Sequence, residues 1–223
     1  MPVVNVVLRL CGFALALTDL SGCVFGGPST PLGRAAAGGD LPAMTALLDQ
    51  GADPNAPGAF GITPLASAAR NGQVAAIDLL LTRGADPHRG CGVNGWTPLQ
   101  HALHKKQRAA AMRLMEASKG PSAELDDALF MAAGYAQFDV VAALLKRGAD
   151  PRKDFGDGAN ALSNAVAGAF DIDFNYRGCA EHTETVRALL TVSNLKLVGS
   201  SGASARRSAE RRGCSEMLDL LKE

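Results

Sequence analysis

Aromatic side chains are scarce in this chain: Phe, Tyr and Trp make up 5% of 223 residues, with two Tyr and one Trp. So few rings offer no platform on which successive nucleic-acid bases could stack. Excess charge is missing too. Twenty-two basic residues face 22 acidic ones, for a formal net charge of zero, and the electrostatic footprint of a nucleic-acid binder is absent. The five cysteines include no C-x-x-C pair, which removes the usual zinc spacing. The apolar run Leu10–Leu17 is too short to cross a bilayer, and no membrane-length run follows it. Signatures of catalysis are lacking as well: there is no G-x-S-x-G, no H-E-x-x-H and no G-x-x-x-x-G-K loop. These absences predict a chain with no catalytic residues, no cofactor, no metal and no small-molecule substrate.

Glycine is plentiful, at 25 residues, and its placement is periodic. A polar capping residue recurs at Thr30, Thr63, Thr97, Asp127 and Asn160, at intervals of 33, 34, 30 and 33. Two residues after each stands Leu32, Leu65, Leu99, Leu129 or Leu162. Three and four residues further come Ala35-Ala36, Ala68-Ala69, Ala102-Leu103, Ala132-Ala133 and Ala165-Val166, one face of a helix that admits a close neighbour. A second apolar pair follows at Leu47-Leu48, Leu80-Leu81, Leu114-Met115 and Leu144-Leu145. Then the chain reads Gly51-Ala52-Asp53-Pro54, Gly84-Ala85-Asp86-Pro87 and Gly148-Ala149-Asp150-Pro151. Glycine there ends a helix in the left-handed region and proline stops it resuming. Thr-Pro at 30–31, 63–64 and 97–98 supplies the start signal, a hydroxyl N-cap followed by proline at N1. Each unit is thus helix, turn, helix and a Gly/Pro/Asp-rich connection. No unit can bury its apolar face alone, so the units must stack.

The columns resemble the ankyrin repeat. Gly61-Ile62-Thr63-Pro64-Leu65, Ala68-Ala69, Gly72, Leu79-Leu80 and Gly84-Ala85-Asp86-Pro87 carry the likeness almost throughout one unit, and Gly95-Trp96-Thr97-Pro98-Leu99 starts the next. The resemblance implies an all-α solenoid of stacked helix-turn-helix repeats with short β-turn or hairpin connections: about five repeats and a degenerate C-terminal cap. The repeats fall near 29–58, 59–92, 93–122, 123–155 and 156–195, the last with an insertion at 168–181, and the cap at 203–223. Ala205 takes the leucine column in the cap, and its arginine run (Arg206, Arg207, Arg211, Arg212) reads as a solvated face. The departures are a missing Gly-Ala-Asp turn after the third unit and Asp126-Asp127, read as helix-capping carboxylates, opening the fourth.

Residues 1–22 read as a signal peptide that is removed, and 23–28 as a lipidated N-terminus and short linker. Leu20-Ser21-Gly22-Cys23 resembles the bacterial lipobox, which implies cleavage before Cys23 and lipid on that cysteine. Asn5, Arg9 and Asp19 depart from the pattern. Val24, where aspartate would retain the protein at the inner membrane, leans the expectation to the outer membrane facing the periplasm. The alternatives left open are plain secretion, and a cytoplasmic or host-directed adaptor that keeps residues 1–23 as a buried helix. In an oxidising compartment Cys91, Cys179 and Cys214 allow one disulfide. Cys179 with Cys214, in neighbouring units, is the expected pair, against three free thiols.

The family implies a protein partner, with the membrane touched only through the lipid anchor. Two surfaces compete for it. The insertion carries Phe170, Phe174, Tyr176 and Arg177, an aromatic and polar mixture suited to interface anchoring; the other reading folds these rings back over the core. The connections and inner helix faces carry Phe60, Trp96 and Phe155, together with Arg89 and Lys153. Trp96 is expected to pack against the next unit. His101 and His104, beside Lys105 and Lys106, read as a solvated helix end. An enzyme with an unrecognised site near Cys179 and His182 is the remote alternative.

Overall fold

A computed structural model describes residues 30–118, 122–168, 179–192 and 195–222. Twelve α-helices occur among them, in pairs. The first unit holds α1 (Pro31–Gly38) and α2 (Leu41–Asp49), the second α3 (Pro64–Arg70) and α4 (Val74–Thr82), the third α5 (Pro98–His104) and α6 (Arg108–Ala117). The fourth holds α7 (Ser122–Gly134) and α8 (Phe138–Lys146), the fifth α9 (Ala161–Ala167) and α10 (Cys179–Val192), the sixth α11 (Gly199–Arg212) and α12 (Ser215–Leu220). The first helices of successive units pack side by side in an inner row and the second helices in an outer row. No strand occurs among the described residues. Cys91 and Trp96 make one isolated antiparallel bridge.

The expected start signals work as capping chemistry predicts. Thr30 Oγ1 accepts from Gly33 N at 3.0 Å and Thr63 Oγ1 from Ala66 N at 3.2 Å. Thr97 and Asn160 form reciprocal capping boxes with Gln100 and Ser163. The fourth unit corrects the reading of Asp126-Asp127. Here α7 opens at Ser122, so both aspartates sit inside the helix and cap nothing. The sequence has no Thr-Pro at this point. Ala123, Glu124 and Leu125 favour helix from the start of α7.

One core runs the length of the stack. Leu32, Leu65, Leu99, Leu129 and Leu162 are all buried, and Ala205 takes the same place in the sixth unit. Leu80, Leu114, Leu144 and Leu189 bury the outer row from the other side. Each such leucine contributes about 2 kcal/mol by leaving water. The small pairs let inner helices approach, and Ala68, Ala69, Ala102, Ala132, Ala133 and Ala165 are sealed completely.

A second tie between units was hidden in the sequence. Helix C-termini leave carbonyls without partners. Gln73 Nε2 donates to Ala37 O of the preceding unit at 3.5 Å, and Gln137 Nε2 to Leu103 O at 2.7 Å. In the sixth unit Arg212 does this for Val166 O, and its Nε donates to Ser208 O at 3.2 Å. Arg212 therefore turns inward, and burial lowers its pKa, while Arg207 and Arg211 face solvent as expected. On the outer row Asp49 pairs with Arg83 (2.8 Å), Asp78 with Arg113 (2.5 Å) and Arg108 with Asp139 (2.9 Å). Such exposed pairs are worth about 0–1 kcal/mol each and align neighbours more than they stabilise them.

The fifth unit's two helices are separated by residues outside those described. Its second helix starts at Cys179, so residues 179–181 of the segment 168–181 are helical rather than inserted. Cys179 and Cys214 form a disulfide with Cα atoms 5.4 Å apart. Cys91 is a buried free thiol.

Candidate partner-binding surface

The connections between units project as fingers, and glycine and aspartate shape them. Gly51, Gly84 and Gly148 sit at φ 89°, 86° and 91°, the left-handed region that a Cβ disfavours. The aspartates that follow turn the chain: Asp53, Asp86 and Asp150 accept from the backbone two residues on, at 2.8, 2.8 and 2.9 Å. Neighbouring fingers are laced together. Asn55 Oδ1 accepts from Asp86 N at 2.8 Å while its Nδ2 donates to Gly84 O at 3.0 Å. Asp126 Oδ1 accepts from Asp150 N at 2.7 Å, a lacing job in place of the capping one expected.

Each complete finger is closed by a backbone hydrogen bond, Gly58 N to Ile62 O (2.8 Å), Cys91 N to Trp96 O (2.9 Å) and Phe155 N to Ala159 O (2.7 Å). Each carries one exposed large apolar side chain: Phe60 at 56%, Val93 at 85% and Phe155 at 38%. Phe60 stands at φ 54°, a strained position for a residue with a Cβ. Phe155 packs on Phe130 with centroids 4.4 Å apart, and Lys153 Nζ lies over the Phe155 ring at 5.0 Å. Lys153 also pairs with Asp127 at 3.2 Å and Asp126 at 3.8 Å. Sequence reasoning missed Val93. Nothing in its own residue type marks it, and only its place in the finger Cys91–Trp96 does.

Trp96 is half-buried and packs on its own unit's helix α5, against His101 (5.6 Å) and His104 (5.0 Å). His104 Nδ1 meets Tyr135 OH of the next unit at 2.8 Å. The histidine pair is therefore no solvated helix end. His101 is 3% exposed, and its Nε2–H donates to Cys91 O at 3.4 Å. Its pKa is lowered to about 4, chiefly because burial penalises the cation; the Cys91 carbonyl pulls the other way, and Arg70, His104 and Lys105 lower it further. The rings fill the groove between units because the hairpin bridge folds Trp96 back over α5.

Phe170, Phe174, Tyr176, Arg177 and Cys23 lie outside the described residues. Cys179 and His182, the pair behind the enzyme alternative, are both occupied structurally: Cys179 is disulfide-bonded and the buried His182 Nδ1 meets Ala165 O at 2.9 Å. Among the described residues no group of three His, Cys, Asp or Glu side chains could hold a metal. No described helix is long and apolar enough to cross a membrane. A cleft of about 920 Å³ lies between α10 and α12, walled by leucines and by Arg187, Lys196, Arg206 and Lys222, with no His, Cys or carboxylate in its wall.

A family model described as "Ankyrin repeats (3 copies)" matches residues 4–91, 32–125 and 65–155, together well over half of the chain. The chain belongs to the ankyrin-repeat family. Solved structures agree on the fold. This ankyrin-repeat chain is similar to the human ASB11 ankyrin repeat domain (23% identity, TM-score 0.68, covering 86% of this chain and 82% of that one). It is equally similar to an ankyrin repeat domain from Acinetobacter baumannii AYE (22% identity, TM-score 0.67, covering 86% and 95%). No curated protein matches. Ankyrin repeats are in general non-enzymatic modules for protein–protein interaction.

Proposed function

We propose that this ankyrin-repeat protein is a non-enzymatic binder of another protein, held in a bacterial cell envelope by lipid on Cys23, where it protects, inhibits or scaffolds its partner. The observation that carries the binding role is the row Phe60, Val93 and Phe155. Three of the five exposed large hydrophobic residues among those described stand one per finger, in the connections that follow α2, α4 and α8. Isolated exposed apolar residues need no explanation, but a row rimmed by Arg89, Lys153 and Asp127 has the make-up of an interface. Trp96 backs this row from the groove, and Phe170, Phe174, Tyr176 and Arg177 of the insertion add a second contact. Serine at Phe60, Val93 and Phe155 together abolishes partner recovery in a cross-linked pull-down while the chain keeps its helical circular dichroism. Undiminished recovery moves the site to the insertion, where the Phe170, Phe174 and Tyr176 triple substitution tests it.

The envelope reading is supported by the lipobox-like Leu20-Ser21-Gly22-Cys23 and by the Cys179–Cys214 disulfide, since disulfides persist in oxidising compartments. Detergent-phase partitioning that Cys23→Ser abolishes is its test. One observation favours a second reading, a cytoplasmic or host-directed adaptor: the first copy of the family match begins at residue 4, inside the leader-like segment. The intact mass of the purified protein separates the two, because retention of residues 1–22 excludes processing.

A further inference from the structure

The stack is unevenly glued. Units two to five each bury a leucine from both of their helices, whereas the buried residues of α11, which packs on α9, are Gly202, Ala205 and Ala209. Small side chains remove little apolar surface from water, so α11 itself docks weakly, and the apolar hold on this unit comes from Met217 with the partly buried Leu218, Leu220 and Leu221. The helix itself is poorly specified. It opens on Gly199-Ser200-Ser201-Gly202 and has no side-chain N-cap. Against this, Cys179 at the first turn of α10 is bonded to Cys214 at the N-cap of α12, across 35 residues of chain. A cross-link of that span removes much freedom from the open state. Arg212 on Val166 O, the Arg187–Glu216 pair at 2.9 Å, Ser201 N on Asp157 O at 3.1 Å and buried Met217 are further ties.

We propose that this disulfide is the fastener of the sixth unit, and that its reduction releases α11 and α12 while the inner units stay folded. In a repeat stack, stability is a sum of unit and neighbour terms, so a terminal unit can open alone. The chemistry balances with a dithiol as reductant. Its thiolate attacks Cys179 Sγ, which is half-buried where Cys214 is 2% exposed, and Cys214 leaves as a thiolate. The second thiol then resolves the mixed disulfide. Two electrons and two protons pass to the protein, giving two cysteine thiols and one oxidised dithiol. Cys91, buried at 5%, takes no part while its unit is folded. The inference is independent of which surface binds a partner.

Amide hydrogen exchange on the full chain, before and after treatment with dithiothreitol, tests it. Reduction accelerates exchange across residues 199–222 by about tenfold or more and leaves α3 to α8 within about twofold. Cys179→Ala reproduces the released pattern without reductant, and dithiothreitol then adds nothing. Unchanged exchange at 199–222 on reduction, equal acceleration along the whole stack, full protection in Cys179→Ala, or peptide mapping that finds the two cysteines unlinked each overturns the proposal.

Discussion

His101 makes the stack acid-sensitive by an amount that can be worked out. Its ring is 3% exposed in the groove behind Trp96, its Nδ1 has no hydrogen-bond partner, and its pKa falls from 6.5 to about 4. The unfolded chain, with the ordinary value, binds a proton between pH 6.5 and about 4 that the folded chain refuses, so stability falls as pH falls through that window. Between pH 7 and pH 5 the loss works out to about 2 kcal/mol, and below both values it levels off near ~3 kcal/mol. Urea unfolding at pH 7 and pH 5, for the natural chain and for His101→Gln, isolates this residue because every other titrating group is shared. The variant keeps an amide N–H for the Cys91 carbonyl and should lose about 2 kcal/mol less between the two pH values than the natural chain. An identical loss in both proteins would refute burial of a neutral imidazole as the cause.

Other predictions follow from particular contacts. Gln137→Ala removes one of the two donors to the Leu103 carbonyl, the Lys106 N–H staying at 3.0 Å, and should cost about 1 kcal/mol in urea unfolding. Lys106 is held at φ 57° in the turn between α5 and α6, where the first two units have Gly39 and Gly72; Lys106→Gly should stabilise by about 1 kcal/mol, read as a higher unfolding midpoint. Serine at Phe60, Val93 and Phe155 together should cost about 1 kcal/mol, nearly all of it from the Phe155 ring stacked on Phe130, since the exposed Phe60 and Val93 hold little of the core.

Much of the scaffold was readable because its signals are local. Thr-Pro starts, left-handed glycines and apolar columns act within one unit, and the repeat multiplies each signal. What escaped depends on contacts between units. Gln73 and Gln137 stand eight residues after Leu65 and Leu129, a column that could have been read, but glutamine carries no helix or turn signature of its own. The role of Asp126 needed the neighbouring finger, because a carboxylate near a helix start caps or laces according to where the helix begins. His101 and His104 looked solvated beside Lys105 and Lys106, and only the folding back of Trp96 makes His101 core. The fingertip row was half legible. Phe60 and Phe155 stand out by type, while Val93 becomes visible only when the finger is closed.

The most direct test of the account is a hydrogen-exchange footprint of the protein alone and with its captured partner. A partner seated on the fingertips slows exchange at 55–62, 88–96 and 152–159 and leaves the outer helices α2, α4 and α6 unchanged. Protection confined to the outer helices, with the three fingers exchanging as in the free protein, would contradict it.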